Sequence, residues 1–413
     1  MKRALSLIVS LCMIVCCTAC SSIKKTDKID VIVWHRWNVA EGEGEHELQV
    51  AVDSFNNSQD RINVILEAQP SSDFTNKVYT ATANGVGPDI FFEFATVVPE
   101  YLPNHLVANM EEYIDVDNLK ERLSPSIWDE AWSSGDGHLH VIPIQTTAPV
   151  LFYNKTLYDK YNLVPPTTWE MLGENSKVIY ENEGKAGFAA DSLIDLAQMF
   201  IGQLGMTYID TETKTVGFNQ PAFREIIDWY AGEVADGCFA TDFSSGSIDG
   251  DFNAGLIASF VGTCSYEPYI LPDGFEYDVA PVPVVESSMW IPVWNRGAIV
   301  LSSDKETEAA ACEFVEYFTN AENNKRWCTS IGALSPYADT CELSEYKDYI
   351  ANDKILNVST DLMPYAGTLP AVNGAVAVRN EIKQFFLQVI GDVKTSEEAL
   401  NEAEINCNEA LQK

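Results

Sequence analysis

The chain is poor in positive charge. It carries 26 Lys and Arg against 61 Asp and Glu, with 5 His, for a formal net charge of −35. So acidic a surface repels nucleic acid and anionic lipid head groups, and no nucleic-acid partner is expected. The sequence also lacks the usual marks of catalysis. There is no GxSxG nucleophile turn, and His46-Glu47 lacks the second His of a zinc-protease helix. Gly85-Val-Gly87 runs into Pro88, which disrupts a dinucleotide loop. Asp249-Gly-Asp-Phe-Asn253 starts like a calcium loop but has Ala254 at the turn and Phe260 where a bidentate Glu belongs. His138 and His140 share a strand face without an evident third ligand. No cofactor and no metal are expected. Acidic residues are too numerous for a glycosidase pair to be singled out by pattern. No repeat of 20–50 residues and no low-complexity segment is present.

The N-terminus is informative. Lys2 and Arg3 precede an uncharged, mostly apolar run from Ala4 to Ala19, short of the roughly 20 residues a spanning helix needs. The run ends in Cys17-Thr-Ala-Cys20. A basic start, a short apolar middle and small residues before a cut site read as an export signal. The cysteine after the small pair resembles the lipobox of bacterial lipoproteins, although Cys17 stands where Leu is usual. That resemblance implies a signal at 1–19, lipid on Cys20, a tether at 20–28, and a mature protein anchored outside the cytoplasm. An ordinary cleaved signal or an uncleaved anchor is the alternative. Loss of residues 1–19 removes two bases and no acid, so the net charge moves from −35 to −37.

About 394 residues then remain, which suggests two domains, since single cores stop growing near 250–300 residues. Six cysteines remain as well: Cys238, Cys264, Cys312, Cys328, Cys341 and Cys407. They are widely spaced with no CxxC, so a zinc site is not indicated. Buried thiols and one or two bridges both stay open.

Ile29, Val31 and Val33 alternate with polar residues and predict a strand ending at Trp34. Glu45–Phe55 has helical spacing, Ile62–Leu66 is a second strand, Asp73–Asn84 a helix and Ile90–Phe92 a buried strand. This order predicts an α/β fold with a parallel sheet and helices on both faces. In such sheets ligands bind beyond the carboxyl ends of the strands. Two of those ends are Trp34-His-Arg-Trp37 and Glu93-Phe-Ala-Thr96. Further helices are predicted at Pro221–Ala235, Glu306–Phe318, Ala321–Ser330, Val376–Ile390 and Ser396–Leu411, and Thr168 is placed to cap the helix after Pro165-Pro166.

Several segments resemble, in order, the extracellular solute-binding proteins of ABC importers, in the group with maltose-binding and glycerol-3-phosphate-binding proteins. Gly87-Pro-Asp-Ile90 resembles the GPDI segment of the maltose branch. Ala148-Pro-Val-Leu-Phe-Tyr-Asn-Lys155 followed by Pro165-Pro-Thr-Thr-Trp169 is similar to "YYNK … PPKTW". Phe252-Asn-Ala-Gly255 with Ile257-Ala-Ser259, and Ala309–Arg326 with Gly332-Ala-Leu-Ser-Pro336, resemble two further signatures. The set spans essentially residues 29–413. It implies a two-lobed, type II periplasmic-binding-protein-like fold with a hinged cleft. The lobes fall at 29–145 with 286–335, and at 146–285 with 336–413. Crossings are expected near Thr146–Tyr153 and Val279–Val285. It further implies a monomeric, non-enzymatic protein that passes a carbohydrate to a membrane permease.

A sugar offers an apolar C–H face and a ring of hydroxyls, which aromatic and polar side chains match respectively. The candidate ligand contacts are Trp34, His35, Trp37, Glu93, Thr96, Tyr266, Trp294 and Arg296. For Trp34, His35 and Trp37, ordinary packing is the competing reading, and for Trp290 a core position. Glu93 stands where the maltose branch often has Trp, so stacking there is lost. Asn373 lies where the glycerol-3-phosphate branch has an arginine, and no arginine occurs there before Arg379, which weakens phosphate binding. A polyol-phosphate binder and a secreted carbohydrate-active enzyme are the alternatives. Cys20→Ala is expected to leave the precursor unprocessed or to release the protein from the membrane fraction. Normal processing with unchanged membrane retention rejects the lipid anchor.

Overall fold

The computed structural model describes residues 28–132, 136–285 and 287–413. The signal, Cys20 and the tether up to residue 27 lie outside the described residues. Two five-stranded sheets organise the rest. The first has the order β2-β1-β3-β11-β4, from Ile62–Ala68, Ile29–His35, Ile90–Phe94, Trp294–Val300 and Val141–Thr147 respectively. In β1, Val31, Val33 and His35 are buried on one face, as the alternation predicts. β1 pairs in parallel with β2 from Ile29↔Ile62 to His35↔Ala68, and with β3. The helices His46–Ser58 and Lys305–Phe318 pack together over this sheet, with Phe55 and Phe314 5.4 Å apart.

The sheet expected to be parallel is mixed. β11 runs antiparallel to both β3 and β4. The reason is connectivity: β11 returns from the other sheet and enters this one against the direction of β4, which left it. Its register with β4 shifts between Arg296 and Gly297. A Cβ on Gly297 would lie 2.2 Å from Val141 Cγ2, so only glycine fits at this irregularity.

The second sheet has the order β7-β6-β8-β5-β9, from Phe239–Ala240, Phe188–Ala190, Ser259–Thr263, Pro149–Asn154 and Tyr277–Ala280. β5 is buried along its whole length, and Phe152 stacks on Phe260 at 4.6 Å. Around it pack the helices Trp169–Glu183, Leu193–Gln203, Pro221–Ala235, Ala375–Ile390 and Ser396–Leu411. Thr168 caps the first of these by accepting from Met171 N at 3.2 Å. The last opens on a capping box between Thr395 and Glu398.

Each sheet has its own core. Only Ala148 separates β4 from β5, so the chain passes between lobes in one step. It returns through residues 281–293, which include the short strand Ile291–Pro292 (β10), paired with Ala366–Gly367 (β12). A third segment touches the same place: Leu334 and Thr146 exchange backbone hydrogen bonds of 2.9 and 2.8 Å. Residues near these joints cross the expected lobe limits. Ile291, Val293 and Leu334 pack in the second core, whereas Tyr337, Tyr346 and Ala371 pack in the first.

The return segment is pinned by Gln203, whose buried amide is fully used. Its Oε1 accepts from Trp169 Nε1 at 2.9 Å and Val285 N at 3.0 Å, and its Nε2 donates to Pro283 O at 3.0 Å and Trp290 O at 3.4 Å. Trp290 itself is wedged between two glycines. A Cβ would meet its ring at 2.1 Å from Gly202 and 2.5 Å from Gly367.

The six cysteines of the described residues are all free, and five are buried. Among the described residues no helix is long and apolar enough to cross a membrane. No group of three or more His, Cys, Asp and Glu among them could hold a metal ion. His138 pairs with Glu111, and His140 with Asp136 and the Ala108 carbonyl.

The same substitution is expected to have opposite signs at two helical glycines. At Gly232 a Cβ meets nothing within 4 Å, so Gly232→Ala gains helix propensity and should raise unfolding free energy by up to about 1 kcal/mol. Gly202→Ala gains the same but drives into Trp290, and overpacking of about 1–3 kcal/mol outweighs it. Urea unfolding of the two variants checks this, and a stabilised Gly202→Ala would show that Trp290 is not wedged.

Candidate ligand-binding cleft

A cavity of about 390 Å³ lies between the lobes at the carboxyl ends of β1 and β3. Arg36 enters it from just beyond β1, and Glu93 and Thr96 from the end of β3 and the turn that follows. Thr75 and Asn76 come from the first turn of the helix Phe74–Ala83. The opposite wall is Ile194, Leu369, Val376, Arg379 and Asn380, and Glu100, Glu130, Val293 and Trp294 also line the cavity. A larger hollow of about 620 Å³ lies elsewhere and presents mostly apolar surface, including Leu123, Ile127, Ile350 and Met363. The smaller cavity is the stronger candidate because polar groups of both lobes converge there.

Each lobe contributes one arginine, and each arginine is already engaged. Glu93 is 4% exposed and takes Arg36 Nη2 at 3.2 Å, Thr75 Oγ1 at 3.2 Å and its neighbour Phe94 N at 3.1 Å. Across the cleft Arg379 donates to Asp195 Oδ1 at 3.2 Å and Gln198 Oε1 at 3.3 Å. Burial pushes the Asp195 carboxyl up, against the pull of Arg379 and Ser192. Its neighbour Asp191 is also raised by burial, opposed by the Tyr266 hydroxyl, which donates to it at 2.6 Å. Asp191 and Asp195 edge a small pocket that shares Trp294 with the main cavity. Trp294 Nε1 is buried with no hydrogen-bond partner among the described residues. An unsatisfied indole N–H beside a cavity is a ready donor to a bound oxygen.

Among the predicted residues, Glu93, Thr96 and Trp294 line this cavity together. Arg296 stands behind them. Its guanidinium lies 4.8 Å from the Phe94 ring centroid and 5.8 Å from that of Trp37. Burial brings its pKa down to about 10, against the attraction of Glu93. Tyr266 reaches the small pocket through Asp191 and packs edge-on to Phe260 at 5.5 Å.

The structure does not bring Trp34, His35 or Trp37 into the lining. Trp34 points to the other face of β1, where its Nε1 donates to Glu67 at 2.8 Å and Lys77 covers its ring. His35 is 1% exposed, and burial lowers its pKa, so it is a neutral core residue. Trp37 packs against Phe92 at 5.0 Å and Trp327 at 4.9 Å. The aromatic cluster after β1 serves packing, and the residue it supplies to the cleft is Arg36. Trp290, wedged between glycines, is likewise a packing residue.

Arg36, Thr75, Asn76, Glu130, Arg379 and Asn380 were not among the predicted contacts. One signal existed for Glu130. It lies three residues after Ile127, on the buried face of the helix Pro125–Trp132, where a charged residue is anomalous.

The chain shows similarity to proteins of known kind over most of its length. It is 22% identical over 389 residues to a maltotriose-binding protein of Pyrococcus abyssi, covering 88% of this chain and 78% of that one. It is 24% identical over 331 residues to the sn-glycerol-3-phosphate-binding periplasmic protein of Salmonella typhimurium, covering 71% and 72%. Among solved structures, an ABC substrate-binding protein from Listeria monocytogenes in complex with cycloalternan superposes with a TM-score of 0.82. It is 20% identical, with 94% of this chain and 100% of that one covered. The cyclic alpha-maltosyl-1,6-maltose binding protein of Arthrobacter globiformis gives 0.79 at 21% identity, covering 93% and 99%. These structural likenesses establish the two-lobed binding-protein fold. The model of the bacterial extracellular solute-binding proteins matches residues 50–354, about three quarters of the chain, and the protein belongs to that family.

Proposed function

We propose that the protein captures a neutral carbohydrate between its lobes and hands it to the permease of an ABC importer. The observation that carries this reading is the pairing of both cleft arginines. Arg36 is committed to Glu93 and Arg379 to Asp195. A phosphate group at either would lie beside the paired carboxylate, with Glu100 in the same lining. A neutral ligand meets no such repulsion. Thr75, Asn76, Thr96 and Asn380 offer donors and acceptors for hydroxyls, and the Trp294 indole offers an apolar face with a free N–H. The similarity to a maltotriose-binding protein supports a sugar. The similarity to a glycerol-3-phosphate-binding protein keeps a polyol phosphate as the second reading, which the cleft charges disfavour.

In this reading Glu93, Thr96 and Trp294 touch the ligand, and Tyr266 and Arg296 hold the walls from behind. The protein works as a monomeric binding protein, not an enzyme, outside the cytoplasm and tied to the membrane through lipid on Cys20. Closing the cleft requires the lobes to rotate about the crossings at 147–149 and 281–293. A ligand that touches both lobes stabilises the closed form by its differential affinity for it.

Trp294→Ala should weaken maltotriose binding by about 1–3 kcal/mol, the usual cost of a truncated aromatic anchor, and abolish most of the fluorescence change on binding. Trp34→Ala should leave the affinity unchanged. Titration calorimetry of both variants decides the matter. Tight binding of glycerol 3-phosphate with none of maltotriose would replace the sugar by the phosphate reading, and turnover of the sugar would make the protein an enzyme.

Saturating maltotriose should also reduce the radius of gyration measured by small-angle scattering. A confirmed ligand that produces no compaction contradicts the clamp.

A further inference from the structure

Glu130 is a carboxyl group with no ion-pair partner among the described residues. It is 7% exposed on the helix Pro125–Trp132 and borders the cleft. Its Oε2 accepts from Asn295 Nδ2, and Asn295 Oδ1 in turn accepts from Thr146 Oγ1 at 2.6 Å. Asn295 and Thr146 belong to β11 and β4 and face each other in the sheet. The carboxyl group therefore ends a chain of neutral partners anchored in the two strands that lead to the lobe crossings.

The charged groups that share its cavity are Arg36 from the end of β1, Glu93 from β3, Glu100 from the helix Val98–Tyr101, and Arg379 from the helix Ala375–Ile390. Both arginines are bonded to other acids, and the remaining two groups are acids themselves. Nothing in this set neutralises a Glu130 carboxylate. A buried carboxylate that lacks a cation is costly, and the group takes a proton instead.

We propose that Glu130 stands in the cleft as a neutral carboxylic acid whose O–H is offered to an acceptor oxygen of the ligand, making it a specificity-determining residue. Burial supports this by pushing its pKa up to about 8, against a smaller opposing effect of the Asn295 hydrogen bond. The assignment rests on the sugar reading for its ligand but not for its protonation state. One carboxyl oxygen receives the Asn295 N–H, so the proton resides on the other. A ring or glycosidic oxygen, which has no proton to give, accepts it, whereas an ionised Glu130 can only accept.

The sign of the pH effect follows from a pKa that is higher folded than unfolded. The stabilising contribution is complete below the unfolded value, near 4.5, and is lost as pH rises through about 8. Ligand-free wild type should therefore lose thermal stability relative to Glu130→Gln as pH rises from 5 to 8.5, because the amide cannot ionise. Glu130→Met, uncharged and of similar length, repeats the comparison if the amide variant does not fold. Profiles that run parallel over this range overturn the neutral acid. With maltotriose as the probe, wild-type affinity should fall at least severalfold between pH 7 and 9, while Glu130→Gln, which still donates, should stay flat. A wild-type affinity as flat as that of the variant overturns the donor role. Absence of maltotriose binding in every protein overturns the sugar reading and leaves the stability profiles to decide the acid.

Discussion

The antiparallel pairing of β4 with β11 is the constraint on which the rest of the molecule depends. Trp294 lies opposite Thr147, so the strand that leaves the first lobe and the strand that returns to it are neighbours at the same end of the sheet. The Leu334 bridge to Thr146 brings a third segment to that point. Two large cores are thus joined along one edge, and the space beyond the strand ends is left as a cleft. Had β11 entered in parallel, its connection would have had to run the length of the sheet, and the joints could not sit side by side. Gln203 and the Trp290 wedge pin the longer connection against the second lobe.

The charge pattern follows from the same geometry. A chain of net charge −35 places an arginine on each wall of its cleft and pairs each with an acid. These pairs neutralise the walls without presenting a free cation, and they fix side chains that would otherwise be mobile. Interactions of this sort add little to overall stability when exposed. Their contribution here is to hold hydrogen-bonding groups in place before a ligand arrives, which reduces the ordering cost of binding.

Much of the fold was legible because period and punctuation agreed. The helices at Pro221–Ala235, Ala321–Ser330 and Ser396–Leu411 coincide with the sequence reading, each with a clear start and an apolar stripe. Strand direction was not legible: the buried apolar run of β11 reads the same whichever way it pairs, and direction is decided by where the chain has been. Of the cavity lining, Glu93 and Thr96 were legible from the rule that ligands sit beyond parallel strand ends. Trp34, His35 and Trp37 were named for their aromatic or ring character, whereas strand parity decides where Trp34 and His35 point. His35 shares the buried face of Val31 and Val33, and Trp34 must point the other way. Arg379 and Asn380 could not be placed at all without knowing which face of their helix the other lobe would meet.

The unbridged cysteines have a consequence for where this fold can be made. Burial raises the thiols of Cys264 and Cys312, the latter to about 12, so almost no thiolate is available for exchange. With Cys238, Cys328 and Cys407 also sealed inside the cores, the native state neither requires an oxidant nor offers one an easy target. Folding of the described residues is thus uncoupled from electron transfer at these six thiols.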